Sequence, residues 1–338
     1  MSIDKLHNCL ECLEWIYDEA VRRGIKNVIF AGDLFHDRHK INTYAYDSTF
    51  TILQKYKDLV NSYYVLGNHD LYYRTNSLIS SVNPLAYVVN VIDSPTKVTI
   101  DGRDIDFLPY TEKPSEDLAK IPKKAEILIS HLSVQDAILN SKFKIKYTSD
   151  FEEKIQDIPT DIFQDYRKVF LGHFHYRQKV TDKIEYIGSP LQLSFGEAND
   201  QKGYLILDLE TLETEFVENT FSPKYYVFSY KDDLSSLDLD KQFVRITIPQ
   251  HENVNHLEIK NRITSDKNPK SIEMIFTQDD VSDTKITEEL GKIDLLATDT
   301  PSIIEKFVSM SETTLDKSLL VEIGNKIFQS LGTDDYEF

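Results

Sequence analysis

Apolar side chains at Leu6, Leu10, Leu13, Trp15, Ile16, Ala20 and Val21 recur at helical spacing, and Gly24 stands where such a run would stop. The pattern predicts a helix from about Asp4 to Arg23. A short apolar run, Asn27 to Ala31, reads next as a strand ending at Gly32-Asp33. A second helical stretch, about Asn42 to Val60, leads into a strand from Ser62 to Leu66 that ends at Gly67-Asn68-His69-Asp70. Helix, strand and polar loop therefore repeat, with polar residues at strand C-termini, where open α/β sheets gather their sites.

From Tyr87 onward strands dominate. Val88 to Ile92, Lys97 to Ile100 and Ile105 to Pro109 are candidates, the last two joined as a hairpin at Asp101-Gly102. Ala125 to Ser130 delivers His131, and Lys168 to Leu171 delivers Gly172-His173-Phe174-His175, so every candidate ligand is expected to follow a strand. Ile184 to Ile187 and Tyr204 to Leu209 read as closing strands of the same sandwich. After about residue 222 a small α+β pattern takes over: strands Tyr225 to Ser229 and Phe243 to Ile248, helix Val254 to Ile263, strand Ser271 to Phe276. A polar acidic stretch, Thr277 to Thr284, precedes two helical candidates, one opened by Thr300-Pro301 and one from about Leu315 to Leu331. The second has an apolar face of Leu319, Leu320, Ile323, Ile327, Phe328 and Leu331, suited to packing on its own domain or on a partner's helices. No internal repeat is visible.

The 338 residues suffice for one large domain and a smaller companion, and a 41% hydrophobic share fits a globular core. No apolar run reaches the roughly 18 to 20 residues of a membrane span, and no basic leader precedes an apolar core. The sequence is thus expected to act in the cytoplasm, away from membranes. Cys9 and Cys12 are the only cysteines, which excludes a disulfide framework and fits a reducing compartment. They fall within the first helical pattern, and a zinc site would need further ligands, so they read as small helix residues. A net charge of −18 argues against a free-standing duplex binder, because Lys and Arg supply most of such affinity. Metal ions and a partner subunit can supply the positive charge instead.

Phosphodiesters resist hydrolysis because an anionic nucleophile must approach an anionic phosphorus. Two metal ions about 3.5 to 4 Å apart offset that repulsion and activate water. Carboxylate and amide oxygens with imidazole nitrogens suit Mn, Fe or Zn. Asp33, Asn68, His131, His173 and His175 make up such a ligand set. Any one of them alone would be unremarkable; five in order, with G-D, G-N-H-D and G-H-x-H intact, are not.

On these motifs the sequence resembles the calcineurin-like metallophosphoesterases, and within them the SbcD-type (Mre-eleven-like) DNA repair nucleases, including phage recombination endonuclease subunits. The narrower likeness rests on Gly32-Asp33-Leu34-Phe35-His36-Asp37-Arg38, on Tyr186-Ile187-Gly188-Ser189-Pro190, and on Glu197-Ala198-Asn199-Asp200-Gln201-Lys202-Gly203-Tyr204. It implies an α/β class, in detail a four-layer α+β sandwich, with a small α+β capping domain and C-terminal helices. Residues 1–222 would be the nuclease domain, 223–280 a small DNA-capping-like domain, and 295–335 a helical segment that binds the ATPase partner.

The resemblance further implies two divalent ions, manganese being favoured. Asp33 would bridge them, Asn68, His131 and His173 would complete one, and His175 would hold the other. The family also carries an Asp-x-His motif from a strand preceding the first helix. No such motif stands ahead of that helix here, so the second site is expected to be incomplete in this chain. His69 would stabilise the transition state or protonate the leaving oxygen, and His36 would position the phosphate. Asp70 would support His69 by hydrogen bonding. Tyr72, Tyr73 and Arg74 are candidates for DNA contact. The implied activity is exonuclease and endonuclease cleavage in recombination and double-strand-break repair, with DNA and an SbcC-type ABC ATPase as partners and a homodimer as one allowed assembly.

Two other readings compete: a phosphoesterase for small phosphate esters, and a truncated, catalytically impaired scaffold that binds DNA or the ATPase. The expected loss of a central strand also predicts exposed sheet edges and a tendency to aggregate.

Overall fold

In the computed structural model, residues 3–140, 143–144, 158–252, 254–277, 308 and 316–331 are described. Helix α1 (Ile3–Arg22) stops in a turn where the Gly24 and Ile25 amides donate to the Val21 and Ala20 carbonyls at 3.1 and 2.8 Å. Gly24 takes a φ of +71°, which glycine adopts without a Cβ penalty. Strand β1 (Asn27–Phe30) follows. Helix α2 (Thr43–Tyr56) starts where the Asn42 side chain accepts the Ala45 amide at 3.2 Å, and leads to β2 (Asn61–Val65). Strand β3 (Asn90–Ile92) completes a parallel sheet of order β1-β2-β3. The strand expected from Val88 is shorter because a 3₁₀ turn over Asn83–Tyr87, opened by Pro84, binds the Val88 and Val89 amides to Leu85.

The second sheet begins with a hairpin, β4 (Thr96–Ile100) and β5 (Arg103–Leu108), turned at Asp101 and Gly102 with φ of +47° and +81°. After the short helix α3 (Pro114–Leu118) comes β6 (Ile127–His131), buried at every position as a central parallel strand should be. A small pair, β7 (Ile138–Asn140) and β8 (Phe143–Lys144), precedes β9 (Lys168–Gly172), β10 (Gln178–Lys179) and β11 (Ile184–Tyr186). The order is β10-β11-β9-β6-β5-β4.

Side-chain alternation assigns each strand residue to one of two cores. Ala31, Val65, Ile105, Phe107, Ile127, Ile129 and Phe170 fill the space between the two sheets. Leu108, Leu128, Val169 and Leu171 point the other way, onto Leu118, Phe163 and Tyr166. On the far side of the first sheet, α1 and α2 pack through Tyr17, Leu53 and Tyr56 against Tyr64 and Leu66. Tyr17 satisfies its buried hydroxyl by donating to Ser62 Oγ at 2.8 Å. The result is the expected four-layer sandwich. Cys12 is a buried core residue of α1, and burial pushes its thiol up to about 12, which makes it inert.

Strand β12 (Gly203–Leu207) pairs with β13 (Thr214–Glu218) as a separate antiparallel hairpin, not with either large sheet. Among the described residues, β1 pairs with β2 alone, so its other edge is open. Trp15 of α1 lies 5.1 Å from the Tyr204 ring of β12.

The chain divides into two compact units, Met1–Val227 with Leu239–Val244, and Phe228–Asp238 with Arg245–Phe338. A further three-stranded sheet has the order β14 (Tyr225–Ser229), β15 (Phe243–Pro249), β16 (Ser271–Thr277). Within the second unit, α4 (His256–Lys267) connects β15 to β16, starts at an Asn255 cap and ends at Asn268 in the left-handed region. Helix α5 (Lys317–Leu331) leaves Leu319 and Ile323 exposed. The helix expected at Thr300-Pro301 and nearly all of the acidic stretch after Thr277 lie outside the described residues.

Candidate metal centre

Four strand ends from the two facing sheets meet at one place. Asp33 follows β1, Asn68 follows β2, and His173 follows β9. His131 departs from the expected pattern: it is the last residue of β6, paired with Gly172, and not a residue beyond the strand. The glycines of the three motifs let these ends approach. A Cβ at Gly67 would lie 2.5 Å from the Asp33 amide nitrogen and 2.8 Å from His131 Cε1. One at Gly172 would overlap the Ala31 carbonyl oxygen and lie 2.9 Å from His131 Nδ1. Asp33 and His173 hold φ of +62° and +91°, so two of the converging side chains sit on strained backbone.

The ligand atoms of Asp33, His131 and His173 lie within 4.8 Å of one another. Asn68 Oδ1 is 3.1 Å from both His131 Nε2 and His173 Nδ1, and Asp33 Oδ2 is 3.1 Å from His131 Nε2. His131 donates from Nδ1 to the Ala31 carbonyl at 2.6 Å. That bond fixes the tautomer and turns the Nε2 lone pair toward two oxygen acceptors. Acceptors facing acceptors in a buried site need a cation between them. The donor set of carboxylate, amide oxygen and two imidazoles therefore fits a divalent transition metal.

In the metal-free protein a proton on His131 Nε2 can be that cation, and the electrostatics favour it. Burial pushes the Asp33 carboxyl upward, but the His131 ring and the His69 contacts outweigh it and hold Asp33 well below the usual carboxylate range. Burial pushes His131 down, and Asp33 more than restores it, leaving it raised. Burial, with His131 alongside, pulls His173 down to about 3, so this ring stays neutral and able to bind metal.

Asp70 was expected to act on His69, but its carboxylate acts on the backbone. Oδ2 accepts the Gly67 and Asp33 amides, both at 2.8 Å, and Oδ1 accepts the Leu34 amide at 3.0 Å. The tight G-N-H-D turn aims Asp70 inward, where it ties the first two motif loops together. Burial and the neighbouring Asp33 charge push it up to about 6. His69 instead bonds through Nδ1 to the His36 carbonyl at 2.8 Å, and the His36 and His69 rings stack at 5.3 Å. Both stand at the rim of the centre. His175 is exposed, lies outside the cluster of Asp33, His131 and His173, and bonds through Nδ1 to Glu197 Oε1 at 2.9 Å. Sequence reasoning assigned Glu197 and Lys202 no individual role. Their one signal was the conjunction of two charged residues in the segment that carries the family likeness.

One carboxylate, one amide oxygen and two imidazoles converging at strand ends of a four-layer sandwich define a metal-dependent phosphoesterase. The calcineurin-like phosphoesterase model matches residues 6–190, and the chain belongs to that family. It is 25% identical over 317 residues to exonuclease subunit 1 of Enterobacteria phage T4, covering 91% of this chain and 88% of that protein. It is 33% identical over 106 residues to the SbcD component of the SbcCD nuclease of Staphylococcus epidermidis, covering 30% of this chain and 25% of that protein. A solved archaeal phosphodiesterase superposes with a TM-score of 0.32 at 13% identity, over 63% of this chain and 94% of that one, a likeness too slight to argue from.

Proposed function

We propose that the chain is the nuclease subunit of a DNA-processing complex and hydrolyses phosphodiesters with two divalent ions, manganese being favoured. The observation that carries the reading is the convergence of Asp33, Asn68, His131 and His173 on one point. The choice of DNA over small esters is supported by the likeness, across 91% of this chain, to a phage protein named as an exonuclease subunit. A subunit implies a partner, and an SbcC-type ATPase is the one proposed.

When bound, the ions supply Lewis acidity and water activation at neutral pH. Asp33 would serve both ions, Asn68, His131 and His173 would hold one, and His175 would hold the other. His69, oriented by the bond from Nδ1–H to the His36 carbonyl, would act as the imidazolium and hand its Nε2 proton to the leaving oxygen, becoming the neutral Nδ1–H ring. His36, stacked on His69, contacts the phosphate. Residues 223–280 are the DNA-capping-like domain in this reading, and 295–335 the ATPase-binding segment, with exposed Leu319 and Ile323 of α5 as contact residues. No helix among the described residues is long and apolar enough to cross a membrane, in keeping with action on cytoplasmic DNA.

The test uses the full chain with linear duplex DNA and Mn²⁺. Wild type is expected to cut, and Asp33→Asn and His173→Ala to lose cutting while keeping their circular dichroism. Turnover of a small phosphodiester without DNA cleavage would overturn the choice of substrate. The position of His175 outside the compact cluster favours a second reading, a scaffold with one complete site; one bound Mn per chain with no cleavage would establish it.

A further inference from the structure

Behind His175 lies a buried ionic group that the proposed chemistry does not use. Lys202 is buried, its side chain only 4% exposed, and its ammonium donates to Glu197 Oε2 at 2.9 Å and to the His175 carbonyl at 2.7 Å. Asp200 Oδ2 lies 3.5 Å from the same ammonium. The other oxygen of Glu197, Oε1, meets His175 Nδ1 at 2.9 Å. One lysine therefore holds both the backbone of His175 and the carboxylate that holds its ring. We propose that Lys202 and Glu197 are positioning residues that fix His175 in the Nδ1–H tautomer, aiming its Nε2 lone pair outward as a metal ligand.

The argument is one of hydrogen-bond polarity. A carboxylate is acceptor-only, so its partner nitrogen on a neutral imidazole must carry the proton, and the opposite nitrogen must then carry the lone pair. Lys202 keeps Glu197 ionised and its Oε2 occupied, and the Leu193 amide, at 3.3 Å from Oε2, adds to this. The carboxylate cannot rotate away without costing the buried ammonium its nearest carboxylate. His175 itself is exposed, with 49% of its side chain open to solvent, so its ring depends on the Glu197 bond for its orientation.

The same polarity predicts an inversion. In Glu197→Gln the buried ammonium and the Leu193 amide claim the amide oxygen, which turns the amide NH₂ toward His175 Nδ1. That ring must then switch to the Nε2–H form and lose its outward lone pair, with almost no change of shape. The inference rests on His175 being a metal ligand, as proposed above, but its test does not depend on DNA cleavage.

The full chain is labelled with ¹⁵N-histidine, stripped of metal, and studied by long-range ¹H–¹⁵N correlation at a pH where the ring shifts have levelled off. Wild type is expected to show His175 as Nδ1–H, with its Nε2 signal moving on titration with Zn²⁺. Glu197→Gln is expected to show Nε2–H and to need about 10- to 100-fold more Zn²⁺ for the same movement. Adding Lys202→Met to Glu197→Gln is expected to return population to the Nδ1–H form. Wild-type His175 as Nε2–H, a Zn²⁺-insensitive Nε2 signal, or an unchanged tautomer in Glu197→Gln would each overturn the proposal. The wild-type measurement decides even where the variants fail to fold. Loss of DNA cleavage with the tautomer pattern intact would count only against the nuclease reading.

Discussion

Replacing Gly172 with alanine would test whether close backbone approach, and not the ligands alone, builds the metal centre. The added methyl overlaps the Ala31 carbonyl oxygen, and it lies 3.0 Å from that carbonyl carbon and 2.9 Å from His131 Nδ1. Neither neighbour is the end of a flexible chain, because Ala31 follows β1 directly and its carbonyl holds His131 at 2.6 Å. The ends of β1 and β9 must part by on the order of 1 Å to restore ordinary contact. Overpacking of this kind costs about 1 to 3 kcal/mol. Pulling Ala31 from His131 leaves a buried polar group without its partner, which adds about 1 to 3 kcal/mol. Gly172→Ala should therefore lose about 2 to 6 kcal/mol in equilibrium urea unfolding of the metal-free protein. It should also bind less Mn²⁺, because His173 moves with Gly172. Gly102→Ala is the control: its φ of +81° costs alanine about 1 to 2 kcal/mol, yet nothing lies within 4 Å of the new Cβ. A Gly172→Ala protein within 0.5 kcal/mol of wild type, or with undiminished Mn²⁺ binding, would refute the reasoning; that threshold is roughly the scatter among surface substitutions.

Three further outcomes are expected. With metal removed, His173 is neutral in the fold down to about 3, while its unfolded ring protonates near its ordinary 6.5. Its share of stability is full above pH 6.5 and falls as pH drops toward 3, with a slope approaching about 1.4 kcal/mol per pH unit. The difference between wild-type and His173→Gln unfolding curves isolates this, and a difference that does not vary with pH would refute it. Asp70→Ala strips one buried and two part-buried amides of their acceptor and should cost about 2 to 3 kcal/mol in chemical denaturation; a loss below about 1 kcal/mol would show that the loops hold without it. The open edge of β1, whose residues are all half-buried, should drive association that grows with protein concentration. Sedimentation velocity showing only monomer over a wide concentration range would count against this.

The strands that carry ligands were legible because each is a largely apolar run that ends in polar residues, after a glycine in β1, β2 and β9 and directly at Ser130-His131 in β6. β10 was not, since Gln178 and Lys179 are polar and become a strand only by pairing with β11. β13 was hidden by the charges Glu215 and Glu218, which fall on opposite faces of the strand, and α3 by its five-residue length. The convergence of Asp33, Asn68, His131 and His173 could be read in advance because β1, β2, β6 and β9 deliver them directly. Asp70 was assigned to its chain neighbour His69, whereas the direction of its side chain is set by a turn that proximity in sequence does not reveal. Lys202 and Glu197 look like surface charges in the sequence. Only the fold buries them and brings them together behind His175.

Three glycines packed around one imidazole also decide where this enzyme can change. A larger side chain at position 32, 67 or 172 collides with His131 and, at each position, with an atom from a different strand end. No single loop can therefore be relaxed by altering that loop alone. On the proposed reading, substitutions that retune metal preference would enter at His175, which is open to solvent. A library that randomises the glycine motifs would return mostly unfolded chains, whereas one built on the exposed position 175 would leave the scaffold intact.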